Sequence, residues 1–303
     1  MERVWGGRRF ESLKGKALPH SAPIGELWEV VDREDAQSVV HEGPLAGLTL
    51  HELWTKHRGA IFGKPAESHP SPRFPLLIKL LDARERLSVQ VHPPAHLESA
   101  LQGEAKTEVW YFLDAQPGAR IYAGLKSGVT RDEFESLLHS GAVERALHEI
   151  EVFTGESIFI PSGRLHAIGE GNLIVEVQQN SDTTYRVFDW NRMGLDGRPR
   201  ALHIKESLLS IDFSDFEPGV TRSHQPVIAD CPYFRVEKQT LSKACDVRPA
   251  ESFAVVTVLD GTVKCGSAAF ERGQFFLVPA SAENLTVEPV GGPAGVLVST
   301  LPA

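Results

Sequence analysis

Short runs of leucine, β-branched and aromatic residues recur along the first two thirds of the chain, each bounded by Gly, Pro, Asp or Asn. They are Leu76 to Leu81, Leu87 to His92, Glu108 to Leu113, Ala119 to Tyr122, Ser157 to Pro161 and Leu173 to Gln179. Runs of this length and spacing predict a β-sandwich or barrel. One helical interruption stands out: Thr130 can cap it, Glu133 can complete a capping box, and Phe134, Leu137 and Leu138 share a face. The pattern predicts that this helix ends near Ser140-Gly141. A weaker helical pattern covers Ile204 to Ile211, after a connection rich in Gly, Arg and Pro and before the polar stretch Ser214 to Gln225. That stretch predicts a boundary between residues 1–215, with a helical insertion near 130–148, and residues 216–303.

The two parts read as copies of one β unit. Gly155-Glu-Ser-Ile-Phe-Ile-Pro161 matches Gly273-Gln-Phe-Phe-Leu-Val-Pro279, and Leu113-Asp114-Ala115 before the first matches Leu259-Asp260-Gly261 before the second. The copies differ in residues that carry chemistry. His166 stands after Pro161 where Asn284 stands after Pro279, and Glu108 stands before Leu113 where Ala254 stands before Leu259. A metal site in the first copy would therefore be lost from the second.

Polar residues in the first copy recur on strand spacing. Gln90 and His92 are two apart in an apolar run, so both project from one face, with Ser88 beside them. Glu108 opens the next strong run and Lys106 shares its face, while His166 follows a turn in which Gly163 can aim the imidazole inward. Two imidazoles, a carboxylate and an amide oxygen make an N/O set suited to zinc or another divalent transition metal with water positions left open. That points to a catalytic site, not a closed structural one. His41, His51, His57, His69 and His148 read as surface or hydrogen-bonded histidines, and Pro93-Pro94 opposes a helical pairing of His92 with His96. Trp110, Tyr111 and Phe112 read as packing residues.

Composition narrows the partners. Hydrophobic residues make up 42% and charged residues 23% of the 303, which argues against disorder, and no apolar stretch approaches the roughly 18 residues of a membrane helix. A formal charge of -9 disfavours nucleic acid and anionic membranes. Cys231, Cys245 and Cys265 show neither metal-binding nor disulfide-framework spacing, and Met1 to Phe10 lacks the apolar core of a secretory signal, so the expected compartment is the cytoplasm.

The blocks Trp5-Gly6-Gly7, Ile24-Gly-Glu-Leu-Trp28, Phe74-Pro-Leu-Leu-Ile-Lys-Leu-Leu-Asp82 and Leu87-Ser-Val-Gln-Val-His-Pro93 form a wider pattern. It continues through Lys106-Thr-Glu-Val-Trp-Tyr-Phe-Leu-Asp-Ala115, Ile160-Pro-Ser-Gly-Arg-Leu-His-Ala167 and Glu176-Val-Gln-Gln-Asn-Ser-Asp-Thr-Thr-Tyr-Arg-Val-Phe-Asp-Trp190. This pattern resembles the type I mannose-6-phosphate isomerases of the cupin superfamily, particularly their short bacterial form. The resemblance implies a mainly β fold of two cupin-type jelly-roll barrels, residues 1–215 catalytic and residues 216–303 a degenerate barrel without metal. It implies interconversion of mannose 6-phosphate and fructose 6-phosphate through a cis-enediol, with a small phosphosugar as partner. One divalent metal per chain, zinc by preference, would be held by Gln90, His92, Glu108 and His166.

Carried over by position, the resemblance makes Arg186, Lys106 and Glu176 catalytic and sets Ser88 and Lys79 against the substrate. Lys106 is the first choice for proton transfer, its amine lowered toward neutrality by a desolvated, cationic setting, and Glu176 the second. Longer relatives carry a lysine in a Thr-Pro-Lys turn where this chain has Asn191-Arg192, which makes Arg192 a candidate phosphate contact. Two rival readings are a catalytically silent sugar-binding cupin and a metal-dependent cupin enzyme acting on another sugar. Fold alone separates none of these.

Overall fold

A computed structural model describes residues 1–15, 17, 18, 22–222 and 224–302. The first unit contains strands Glu2–Gly7 (β1), Glu26–Val30 (β2), Leu76–Ala83 (β3), Val89–Val91 (β4), Glu108–Ala115 (β5) and Arg120–Leu125 (β6). It continues with Leu147–Glu151 (β7), Ser157–Ile160 (β8), His166–Ile168 (β9), Asn172–Gln179 (β10) and Tyr185–Phe188 (β11). Two antiparallel sheets result. One has the order β1-β3-β10-β5-β8, with β2 also on β3; the other has the order β11-β4-β9-β6-β7.

Alternation along each strand decides which side chains enter the space between the sheets. Leu81 and Ala83, Trp110 and Phe112, and Ile158, Ile160 and Ile174 from the first sheet pack there against Ile121, Ala123 and Ile168 from the second. The intervening positions of β3, β5 and β10 point the other way, so Leu76, Ile78, Leu80, Val109 and Val175 join a separate core. Burial on both faces is why β3 reads as a nearly unbroken apolar run. Lys79 interrupts that run from the inner face of a central strand, which excludes an edge position. The second sheet's outer face is covered by the helices Arg131–His139 and Ile204–Ser210, through Phe134, Ile204 and Leu208.

The helix that begins after Thr130 has the predicted span but half of the predicted capping box: Thr130 Oγ1 accepts from the Glu133 N–H at 3.2 Å, and the helix gives way at Ser140 to Gly141 with φ +70°. Helical structure is not confined to that insertion. A second block spans Leu50–Lys56, Arg58–Phe62 and Lys64–Glu67, and there Thr49 and Glu52 form the full reciprocal capping box. Its Trp54 and Phe62 pack edge-on against each other, 5.1 Å between centroids, and Phe62 packs against Phe253 of the C-terminal unit at 5.2 Å. No helix among the described residues is long and apolar enough to cross a membrane.

The C-terminal unit holds strands Val227–Asp230 (β12), Arg235–Leu241 (β13), Ala254–Cys265 (β14), Ala268–Glu271 (β15), Phe275–Val278 (β16) and Val287–Thr300 (β17). They form one antiparallel sheet, β12-β13-β17-β14-β15, with β16 also on β14. The ladder of β14 against β16 pairs Ala254 with Val278 and Val255 with Leu277; that of β5 against β8 pairs Glu108 with Ile160 and Val109 with Phe159. The internal repeat is thus reproduced residue for residue. The segment between the units stays on the first one, through bridges Leu125–Phe216 and Ser157–Thr221.

Candidate active site

Register aligns the polar residues in two facing rows. Across β3, β10 and β5 lie Lys79, Glu176 and Trp110, with Glu108 two residues before Trp110 on the same face. Across β11, β4 and β9 lie Arg186, Gln90 and His166, with Ser88 and His92 on the same face as Gln90. The first row supplies carboxylates and ammoniums, the second imidazoles, an amide and a guanidinium.

His92, Glu108 and His166 converge so that one donor atom from each lies within 4.8 Å of the others. All three are buried, none more than 1% exposed. His92 Nδ1 donates to the Thr183 carbonyl and His166 Nδ1 to the Arg164 carbonyl, each at 2.8 Å, which keeps the proton on Nδ1 and turns the Nε2 lone pair inward. Burial holds both imidazoles neutral, His166 down at about 3, with the neighbouring imidazole or ammonium adding to the effect. Gly163, at φ +94°, makes the turn before His166 and donates its N–H to the His92 carbonyl at 2.9 Å, so the two histidine segments are tied together.

Gln90 completes the set, its amide nitrogen 3.3 Å from His166 Nε2. A half-turn of the amide presents the oxygen instead. Glu108 gives the sharpest indication of what belongs here. Lys106 Nζ lies 2.7 Å from its Oε2, yet neither carboxylate oxygen has a hydrogen bond of proper geometry. Lys106 offsets the charge of Glu108, while the lone pairs of both oxygens stay free of a directed hydrogen bond and open to a further ligand. Two neutral imidazoles, an orphaned carboxylate and an amide are donors that fit a divalent metal.

The surrounding charges run against one expectation. Burial by itself would lower the Lys106 amine, but Glu108 and Glu176 more than offset it and hold its pKa above the ordinary lysine range. Glu176 moves the other way from a free carboxylate: burial, then the nearby Glu108 charge, raises it. Its Oε2 accepts from the Trp110 indole at 3.0 Å, and its Oε1 lies 3.5 Å from Lys79 Nζ and 3.7 Å from Lys106 Nζ. Glu176 therefore pairs with the two lysines. Arg186 has no carboxylate in ion-pair contact among the described residues; its Nε donates to Ser88 Oγ at 3.3 Å and its Nη1 to the Ala201 carbonyl at 2.9 Å.

Lys79, Ser88, Gln90, Lys106, Glu176 and Arg186 all line one cleft of about 580 Å³. A larger hollow, about 760 Å³, lies between Arg33, Arg73, Glu104 and Tyr233. Its arginines are already paired, Arg33 with Glu104 and Arg73 with Asp32, and of the candidate ligands Gln90 lines the smaller cleft and none lines this one. The chemistry belongs to the smaller space.

A relative from Bacillus subtilis (strain 168), mannose-6-phosphate isomerase ManA, is 36% identical over 313 residues, covering 99% of this chain and 96% of its own length. This chain belongs to the type I mannose-6-phosphate isomerase family. The model of phosphomannose isomerase type I, catalytic domain, matches residues 1–117. The mannose-6-phosphate isomerase of Streptococcus mutans is 36% identical over 294 residues, 93% of this chain and 91% of that one. The crystal structure of the Bacillus subtilis mannose 6-phosphate isomerase superposes with a TM-score of 0.86 at 31% identity, covering 99% of this chain and 97% of that one.

Within this family fold, one residue set apart by its sequence position lies elsewhere than expected. Arg192 does not line the cleft: its Nε and Nη2 donate to Asp189 and its Nη1 to the Arg86 carbonyl, so every guanidinium nitrogen is committed. Three cleft residues escaped the sequence reading. Glu26, on β2, is held ionised at about 2, where burial is overridden by Lys79 and by Arg3, whose Nε donates to it at 2.8 Å. Arg3 and Arg200 also line the wall. Glu26 sits inside the block Ile24 to Trp28, and Arg200 in the Gly/Arg/Pro-rich connection. No spacing rule links either to the metal ligands.

Proposed function

We propose that this chain interconverts mannose 6-phosphate and fructose 6-phosphate through a cis-enediol, with Gln90, His92, Glu108 and His166 as the ligands of one divalent metal. The observation that carries the reading is the convergence of the buried Glu108 carboxylate with two lone-pair imidazoles, beside a cleft lined by Gln90 and by a guanidinium free of any carboxylate. A metal bound there, zinc by preference for this N/O set, supplies polarisation of the sugar oxygens and offsets the charge that develops on them.

The remaining chemistry falls to side chains. Arg186 has Nη2 without a protein partner among the described residues and can donate it to an enediolate oxygen. Glu176 and Lys106 are the proton carriers for the shift between C2 and C1. The acid raised by burial and the ammonium raised by carboxylates lie 3.7 Å apart, so the charge of each depends on the other. Lys79 and Ser88 hold the sugar, and Lys79 is packed over Trp28 at 5.0 Å from the ring centroid. The second unit, taken as residues 216–303, supports this machinery without a metal of its own, and three thiols left unbridged agree with work in the cytoplasm.

The test is direct. Metal-loaded protein given mannose 6-phosphate should release fructose 6-phosphate, and chelation should abolish the release. Phosphosugar binding without turnover would support the silent sugar-binding cupin instead.

A further inference from the structure

With Arg192 committed elsewhere, the phosphate end of the substrate needs another partner, and the cleft supplies one. Contacts run outward from the metal ligands in a fixed order. Ser88 Oγ lies 3.3 Å from the Gln90 amide, Arg186 Nε donates to Ser88 Oγ at 3.3 Å, and Arg186 Nη1 donates to the Ala201 carbonyl at 2.9 Å. Arg200, next to Ala201, lines the same cleft as Arg186. An open-chain hexose 6-phosphate carries its carbonyl and its phosphate at opposite ends. A sugar whose carbonyl end meets Gln90 and Arg186 directs its phosphate outward, to Arg200.

Charge and hydrogen-bond capacity agree with that order. Residues 186–200 contain four arginines and two aspartates, a surplus of two positive charges, which matches a phosphate monoester dianion. Arg192 and Arg200 share Asp189, but on different terms. Arg200 reaches it through Nε at 2.7 Å and Nη2 at 2.5 Å, which leaves Nη1 without a protein partner among the described residues. Arg192 has no nitrogen left over. Arg186 Nη2 and Arg200 Nη1 are thus uncommitted guanidinium donors of the cleft within residues 186–200, alongside Nη1 of Arg3, whose Nε and Nη2 are held by Glu26.

We propose that Arg200, braced by Asp189, binds the phosphate of the substrate, and that Arg192 only balances the charge of Asp189. The proposal rests on the mannose 6-phosphate reading, and inorganic phosphate provides a probe independent of turnover. The experiment compares Arg200→Gln, Arg200→Lys and Arg192→Gln for kcat and KM with mannose 6-phosphate, and for inorganic phosphate affinity by calorimetry on the metal-loaded protein. Loss of one charge-assisted phosphate contact is expected to raise KM and the phosphate Kd of Arg200→Gln roughly 10- to 100-fold, with kcat within about threefold. Arg200→Lys should recover part of both, and Arg192→Gln should change neither. Unchanged KM and phosphate affinity in Arg200→Gln would overturn the proposal, as would an equal loss in Arg192→Gln. A wild-type chain that binds phosphate through Arg200 without turning over mannose 6-phosphate would sink the preceding reading and leave this one standing.

Discussion

In the first unit Glu108 faces Ile160, and Trp110, Glu176 and Lys79 stand in line across three strands. In the second, Ala254 faces Val278, and Val256, Val298 and Glu237 hold the corresponding line. The ladder is the same because it is made by backbone groups, which tolerate any exchange of side chains compatible with burial. What differs is the opposing layer. The first unit sets β4, β9 and β11 across the gap, and they bring Gln90, His92, His166 and Arg186. The second has no such sheet among the described residues; the stretch that would answer to β9 holds Asn284, exposed and at φ +54°. Its inner face closes instead over valines, Val256, Val258, Val263, Val278, Val296 and Val298. Its other face, with Phe234, Phe253, Val255 and Leu297, packs on the back of the catalytic sheet. The polar cluster of the first unit thus draws on two sheets, and the described C-terminal residues supply one.

Two variants would break that contrast from opposite sides. Removing both imidazoles, in His92→Ala/His166→Ala, should abolish both bound metal and turnover, because Glu108 and Gln90 alone cannot complete a catalytic site. Stoichiometric metal in the double variant would remove these residues from the ligand set. Conversely, Ala254→Glu puts a carboxylate where Glu108 stands, but in a fully buried position with no lysine two residues earlier, only Ser252. An unpaired buried charge should cost about 3 to 5 kcal/mol of stability, read by chemical denaturation, while metal content stays at one per chain. A second equivalent of metal would mean that the C-terminal unit keeps a latent site.

The sequence made the convergence of polar side chains legible for a physical reason: Gln90 and His92, and likewise Lys106 and Glu108, are neighbours on one strand face, and period-two spacing is local information. The capping box of Thr49 and Glu52 was equally local, and the helical block it starts was missed only because the β rhythm around it drew the reading. Glu26 and Arg200 were out of reach. They meet the other cleft residues through the register of β2 on β3 and through a long connection, neither of which leaves a trace in spacing. Charge settings escaped in the same way. The lowering expected for Lys106 assumed desolvation beside cations, and the fold placed Glu108 and Glu176 against it instead.

Arg186 sharpens the comparison on the side of catalysis, since it belongs to the sheet that the second unit lacks. It touches Ser88 and a backbone carbonyl, and Glu176 is occupied by lysines, so removal of the guanidinium should leave folding and metal in place. By analogy with the loss of one oxyanion donor, Arg186→Met should lower kcat by roughly 10²- to 10³-fold, about 3 to 4 kcal/mol, with little change in KM. A variant with normal turnover and a depressed Tm would assign Arg186 to structure.

The smallest effect tests the charge ladder Arg3, Glu26, Lys79 and Glu176, which lines only the first unit. Glu26 has a folded pKa of about 2, lowered from 4.5, because the pull of Lys79 and Arg3 outweighs burial. A carboxyl with a depressed folded pKa stabilises the fold in its charged form. That contribution is fully present above about pH 4.5, declines as the group protonates, and is gone once the pH falls through about 2. The shift corresponds to about 3 kcal/mol at neutral pH. Glu26→Gln keeps the size of the side chain and its capacity to accept from Arg3 and Trp28, but removes the charge. Denaturation curves for the two proteins at a series of pH values should therefore lie about 3 kcal/mol apart at pH 7 and converge between pH 4.5 and 2. Curves that kept a constant separation throughout that window would show that Glu26 acts by packing and hydrogen bonding. The ladder would then be a row of independent contacts instead of one electrostatic unit reaching from Arg3 to the metal ligands.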